Sequence, residues 1–199
     1  MIIPIELLRD KKATFFEVKK DDYVFSEDEP ASFYFQVISG TVKMSSYSEN
    51  GQEFIQGIFK AGQSFGEPAI FGDFPYPNNA IATEDAEVAR LPKDVFYELL
   101  RENFDIHQKF NALFSNRLRY KAILLKEISS YCPDHVIMTL LKYLRDNSAQ
   151  KDQARFLIPY TRQQIADMTG LRVETVIRTV KKLQQDGKLE IRQHKIYLK

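Results

Sequence analysis

The chain has 199 residues, 44% hydrophobic and 28% charged, an ordinary globular composition with room for one large domain or two small ones. No apolar run approaches the ~20 residues that span a membrane, and Met1-Ile2-Ile3-Pro4-Ile5-Glu6 has neither the basic nor the apolar region of a secretory signal. A single cysteine, Cys132, permits no internal disulfide, so a cytoplasmic location is expected. The net charge of +1 is unevenly spread: residues 1–132 hold 15 Lys and Arg against 20 Asp and Glu, while residues 133–199 hold 13 against 7. The basic C-terminal third is therefore the part suited to binding phosphate.

In chain order, residues 14–18, 33–38, 41–44, 53–59, 80–83 and 87–91 read as strands, rich in aromatic and β-branched side chains. Ser39-Gly40 stops one run, and Glu49-Asn50-Gly51-Gln52 is a hairpin turn signal. Many short strands with glycines at the turns predict a small sandwich or barrel. Pro92-Lys93-Asp94 then opens a helical region, because proline at a helix start loses no hydrogen bond. A short helix is expected over 95–100 and a long one over 104–129, roughly 39 Å at 1.5 Å per residue.

Phe110, Phe114, Leu118, Leu125 and Ile128 mark one side of the apolar arc of the long helix, and Ile106, Leu113, Tyr120 and Leu124 widen it. That arc is broader than one packing partner needs. One edge is expected to cover the strand domain and the other to meet the same helix of a second subunit. The alternative is a single long helix packed on its own domain. Arg117 and Lys121 lie within the arc. Cations there must snorkel, pair with a carboxylate or meet an anionic ligand.

Cys132-Pro133-Asp134 breaks the helix, since proline disfavours helix in the residue before it. Asp134 is expected to cap a helix over 135–145 whose Val136, Met138, Leu140, Leu141 and Leu144 supply a core. A polar loop over 146–153 and a strand over 155–160 follow. Thr161 with Gln164 forms a capping box for a short helix with Ile165 and Met168 on its apolar side. Small Ala166 lets another helix cross closely, and Gly170 ends the helix in a left-handed cap.

A second helix is expected over 173–185. At about 100° per residue, Val176, Val180 and Leu183 share one face, and Glu174, Arg178, Lys181 and Gln185 the other. In a major groove an Arg can donate twice to guanine, a Glu can accept from cytosine N4, and a Lys can neutralise phosphate. The plain alternative is an amphipathic surface helix with a Glu–Arg pair four residues apart. Residues 188–192 and 195–198 read as two strands around Gln193-His194, a wing whose basic residues can lie along phosphates.

Thr161-Arg162-Gln163, Ile165-Ala166, Gly170 and Glu174-Thr175 with Arg178 resemble the helix-turn-helix of the cyclic-AMP receptor protein and fumarate–nitrate regulator (Crp/Fnr) family. Val173-Glu174-Thr175 is closer to the fumarate–nitrate branch. The resemblance covers nearly the whole chain. It implies an α+β protein: an N-terminal cyclic-nucleotide-binding-like β-roll or jelly roll over 1–103, a dimerisation helix and hinge over 104–132, and a C-terminal winged helix-turn-helix over 133–199. It implies a homodimeric, sequence-specific transcription regulator, not an enzyme, acting on double-stranded DNA with RNA polymerase as partner. Glu174 and Arg178 would read a core like TTGAT, with Val173 against a thymine methyl. Arg162 and Thr175 would position phosphates, Arg172 could do either job, and Thr161 and Lys181 complete the candidate DNA-binding residues. The competing function is a small-molecule-binding module whose winged helix contacts protein.

Gly62-Gln63-Ser64-Phe65-Gly66-Glu67 resembles the segment opening the phosphate-binding cassette of cyclic-nucleotide-binding β-rolls, with Gly40, Gly51 and Gly62 at that fold's turns. The resemblance makes Gly66, Glu67, Asn78 and Asn79 candidate effector residues. The family's Arg-Ser pair is replaced here by Asn78-Asn79, and an amide brings no charge to a phosphate. Arg117 matches an Arg of the cyclic-AMP receptors, but their adenine-facing Thr-Ser pair falls on Lys121-Ala122. With Arg117 and Lys121 as the remaining candidates, cyclic AMP is disfavoured and no cofactor is assigned. An iron–sulfur sensor needs a set of thiolates, and His107, His135 and His194 form no metal motif.

Overall fold

The computed structural model describes residues 1–129, 132–148, 150 and 153–198. Contacts divide the chain into two compact units, Met1–Phe114 and Ser115–Lys199. The first contains helix α1 (Ile5–Asp10), strands β1 (Thr14–Val18), β2 (Tyr23–Phe25), β3 (Phe33–Ser39), β4 (Thr41–Tyr47), β5 (Glu53–Lys60) and β6 (Ser64–Phe65), and helix α2 (Glu67–Gly72). Strands β7 (Asn79–Ala82) and β8 (Ala86–Pro92), helix α3 (Lys93–Glu102) and the start of α4 (Phe104–Ser129) complete it. The strands form two antiparallel four-stranded sheets, ordered β1-β8-β3-β6 and β2-β7-β4-β5. The expected jelly roll is present. Short β2, β6, α1 and α2 were not legible as elements, because each is too brief to show a period.

Strand β3 shows why its sequence reads as an unbroken apolar run. Successive side chains point to opposite faces. Phe35 and Val37 enter a core with Val42, Phe65 and Val88, drawn from both sheets. Tyr34 points the other way, into a second cluster with Phe96 and Leu99 of α3 and Ile106 and Phe110 of α4. Both faces of the strand are therefore covered. Gln36 between them is 0% exposed, yet it is satisfied. Its Nε2 donates to the Ile3 carbonyl at 3.0 Å, and its Oε1 accepts from the Ile3 amide at 3.1 Å and the Tyr34 hydroxyl at 2.8 Å. This ties the N-terminal segment to the sheet. Gly40 is required at its turn, since a Cβ there would lie 2.4 Å from the Asp85 carbonyl oxygen.

Helix α4 has the bounds expected from its apolar periodicity, and its first turns bury Ile106 and Phe110. Farther along, Leu118 and Leu125 are 70% and 68% exposed. Tyr120, expected as part of the same arc, instead stacks on Tyr143 at 3.7 Å. Tyr143 lies on α5 (Pro133–Asp146) of the second unit. The second unit continues with β9 (Phe156–Ile158), α6 (Arg162–Thr169), α7 (Val173–Gln185), β10 (Leu189–Arg192) and β11 (Lys195–Leu198). Its three-stranded sheet runs β10-β11-β9. The loop expected over 146–153 lies partly outside the described residues. Among the described residues no helix is long and apolar enough to cross a membrane.

One expected cap is corrected. Asp134 does not cap α5: the cap position is Cys132, with no side-chain bond, and the helix begins at Pro133. The Asp134 carboxylate instead accepts from the Lys182 ammonium of α7, and an ammonium is a stronger partner than a neutral amide.

Burial raises several phenols. Tyr76, 2% exposed, is pushed up to about 12 by burial, opposed by the Phe33 amide. Tyr120, Tyr143 and Tyr160 are raised for the same chief reason. A raised folded-state value means that stability is fully present below pH ~10 and is lost as pH rises toward the folded value. Tyr76 alone is expected to cost about 1–2 kcal/mol at pH 11. Urea midpoints at pH 8 and 11 measure this, and a flat profile would contradict the burial.

Candidate nucleic-acid interface

The helix-turn-helix is set by local chemistry. Thr161 holds an extended backbone, and its hydroxyl oxygen accepts from the Gln164 amide at 3.1 Å. Gln164 Oε1 accepts in return from the Thr161 amide at 2.9 Å, completing a box whose loss costs about 1 kcal/mol. The Thr161 cap uses an oxygen lone pair, which leaves the hydroxyl proton to donate elsewhere. Ile165 and Ala166 are buried, and Gly170 ends α6 with φ 69°, a conformation glycine adopts without strain. On α7, Val176, Val180 and Leu183 are fully buried.

The opposite face is open. Arg172, Glu174, Arg178 and Lys181 are exposed, while Val173 and Thr175 are half-buried at the start of the helix. Glu174, Arg178 and Lys181 line one shallow concavity with Ile177, Lys182 and Gln185. Arg162 stands at the start of α6, where its Nη1 donates to the His194 carbonyl at 3.0 Å. His194 and Gln193 both have positive φ, at 63° and 45°, in the tight turn between β10 and β11. Arg162 therefore pins the wing turn with one nitrogen. Neither this bond nor the exposure of Ile177 was read from the sequence; the helical wheel, which sets Ile177 beside Glu174, carried the second signal.

The candidate effector residues fall into two groups. Gly66 has φ 79° at the start of α2. Glu67 is 0% exposed and accepts from the Ser64 hydroxyl. Asn78 is 2% exposed, and its Oδ1 has no hydrogen-bond partner among the described residues. Asn79 Oδ1 accepts from the Glu27 amide at 3.0 Å, so this side chain closes a loop. Arg117 and Lys121 belong to the second compact unit. There the charge of Arg117 opposes the burial that raises the Tyr143 phenol.

A β-roll, a long helix and a winged helix-turn-helix with an open charged reading face define a DNA-binding transcription regulator. Comparison with known proteins agrees. Residues 15–103 match the cyclic nucleotide-binding domain, and residues 135–199 match the Crp-like helix-turn-helix domain. The chain belongs to the Crp/Fnr family of transcription regulators. It is 28% identical over 176 residues to an anaerobic regulatory protein of Pasteurella multocida, covering 87% of this chain and 64% of that protein. It is also 28% identical to the transcriptional activator protein anr of Pseudomonas aeruginosa, covering 85% and 70%. The chain thus spans about two thirds of the length of these relatives. Among solved structures, FixK2 from Bradyrhizobium japonicum has a TM-score of 0.74 at 24% identity, covering 94% of this chain and 92% of that one. A CooA mutant from Carboxydothermus hydrogenoformans has a TM-score of 0.79 at 16% identity, covering 97% and 85%. These two likenesses concern the fold. Regulators of this class bind DNA and act as dimers.

Proposed function

We propose that this protein reads a palindromic operator as a homodimer, with residues 133–199 as the DNA-binding domain, 104–132 as dimer helix and hinge, and 1–103 as the sensory domain. The observation that carries this is the open stripe of Glu174, Arg178 and Lys181 on a capped helix-turn-helix in the basic third of the chain. Two-fold symmetry puts the half-sites about one helical turn, ~34 Å, apart. Glu174 and Arg178 read base edges in a core like TTGAT. Arg162, Thr175 and Lys181 hold phosphates, Arg172 does either, Val173 meets a thymine methyl, and Thr161 stands with them at the DNA-facing helix start. RNA polymerase is the partner on DNA, and the cytoplasm is the site of action.

Glu174→Ala is expected to relax specificity at one base pair by about 1–3 kcal/mol. Arg162→Ala is expected to weaken all sequences alike and to reduce the salt slope by about 1. Equilibrium binding to a base-substituted operator series, repeated at several salt concentrations, tests both. Equal weakening of every sequence by both variants would sink the division of roles, and salt-insensitive failure to bind any duplex would favour a protein-docking wing.

For the roll, the reading is an effector other than cyclic AMP. Gly66, Glu67, Asn78 and Asn79 include no cation, and the amides of Asn78 and Asn79, which stand where the family has an Arg-Ser pair, bring no charge to a phosphate. Arg117 and Lys121, in the second compact unit, are proposed separately as cations for an anionic effector on α4. Native mass spectrometry of the purified protein tests this reading: a retained cyclic-AMP mass would refute it.

A further inference from the structure

Ile177 is out of place among its neighbours. It is 37% exposed, while Val176 and Val180 on either side of it in the sequence pattern are 0% exposed. At about 100° per residue, Ile177 stands ~60° around α7 from Glu174, one turn after Val173. It lines the same concavity as Glu174, Arg178 and Lys181. A single exposed apolar residue on a free surface needs no explanation. One set within the stripe that meets DNA does, because docking removes its water together with that of its charged neighbours.

The partner can be named by elimination. An isoleucine pressed on a phosphate, a carbonyl or an amino edge would strip water from that group and return no hydrogen bond. The 5-methyl group of thymine is the apolar group on the floor of the major groove. We infer that Ile177 is a specificity-determining residue that packs on a thymine methyl within each half-site, beside the bases read by Glu174 and Arg178. The half-buried Val173, one turn earlier, extends the same apolar edge. This inference rests on the DNA-reading function proposed above.

The test uses the full-length protein and the tightest duplex selected from a randomised library. Each thymine in one half-site is replaced in turn by deoxyuridine, which removes only the methyl. Wild type is expected to lose about fourfold in affinity at one or two positions, the factor for one buried methyl group. At one of these the loss should vanish in Ile177→Ala and persist, about two- to threefold, in Ile177→Val. Circular dichroism and thermal melting of both variants confirm that they fold. The inference is overturned if wild type is indifferent to every deoxyuridine, or if Ile177→Ala loses as much as wild type at each position. In both cases a selected duplex that still binds leaves the DNA-reading function standing. If selection yields no duplex at all, both fall together.

Discussion

Replacing Leu118 and Leu125 together by glutamate is expected to convert a dimer into monomers at micromolar concentration. It should also lower affinity for a two-half-site operator by about 10²–10⁴-fold, the avidity of two linked contacts. The two leucines are 70% and 68% exposed on α4 and lie one heptad apart. Ile128, 43% exposed, follows Leu125 at the next position of the same seam. Each leucine buried against a partner contributes about 1.5–3 kcal/mol, and the two-fold axis doubles every contribution. A glutamate in the seam forfeits that term and faces its own symmetry mate as a like charge. Sedimentation velocity and operator titration read the result. A variant that stays dimeric with unchanged affinity would place the dimer contact elsewhere.

Phe96→Ala is expected to destabilise the first compact unit by about 3–5 kcal/mol. The Phe96 ring is fully buried. It stacks on Tyr34 at 4.6 Å and meets Phe110 edge-on at 5.4 Å and Phe71 at 5.7 Å. These four rings come from β3, α2, α3 and α4, so the cavity would loosen the sheet, the roll's short helix and the start of α4 at once. Aromatic pairs of this geometry add about 0.5–1.5 kcal/mol beyond their buried area. Hydrogen exchange resolved by peptide is the suitable measurement, since two units need not unfold in one transition. Protection should fall across residues 33–39 and 104–114 and hold in α6 and α7. A loss below about 1 kcal/mol would show that the site collapses around the smaller side chain.

The elements most legible in the sequence were those specified within a few residues. The Thr161 and Gln164 capping box, Gly170 and the spacing of Val176, Val180 and Leu183 all act inside one or two turns. Helices α6 and α7 lie where those signals put them. The bounds of α4 followed from apolar periodicity for the same reason. Strands β1, β3, β4, β5, β7 and β8 were visible as runs. The two-residue β6 and the six-residue α2 were not, because a segment that short is held by its neighbours and not by its own propensity.

The sequence alone determined the family, the order of the elements and the polarity of the reading helix, since capping, periodicity and charge are properties of near neighbours along the chain. Tertiary structure decided which side chains are already engaged. Asp134 turned from its helix start to Lys182, 48 residues away. Tyr120 left the apolar arc to stack on Tyr143, Arg162 took the His194 carbonyl of the wing, and Asn79 closed a loop onto Glu27. Asp134 took the stronger, charged partner; the other choices each set one hydrogen bond or ring contact against an alternative that differs by about 1 kcal/mol. At that margin, the fold's distances select the partner that residue type alone leaves open.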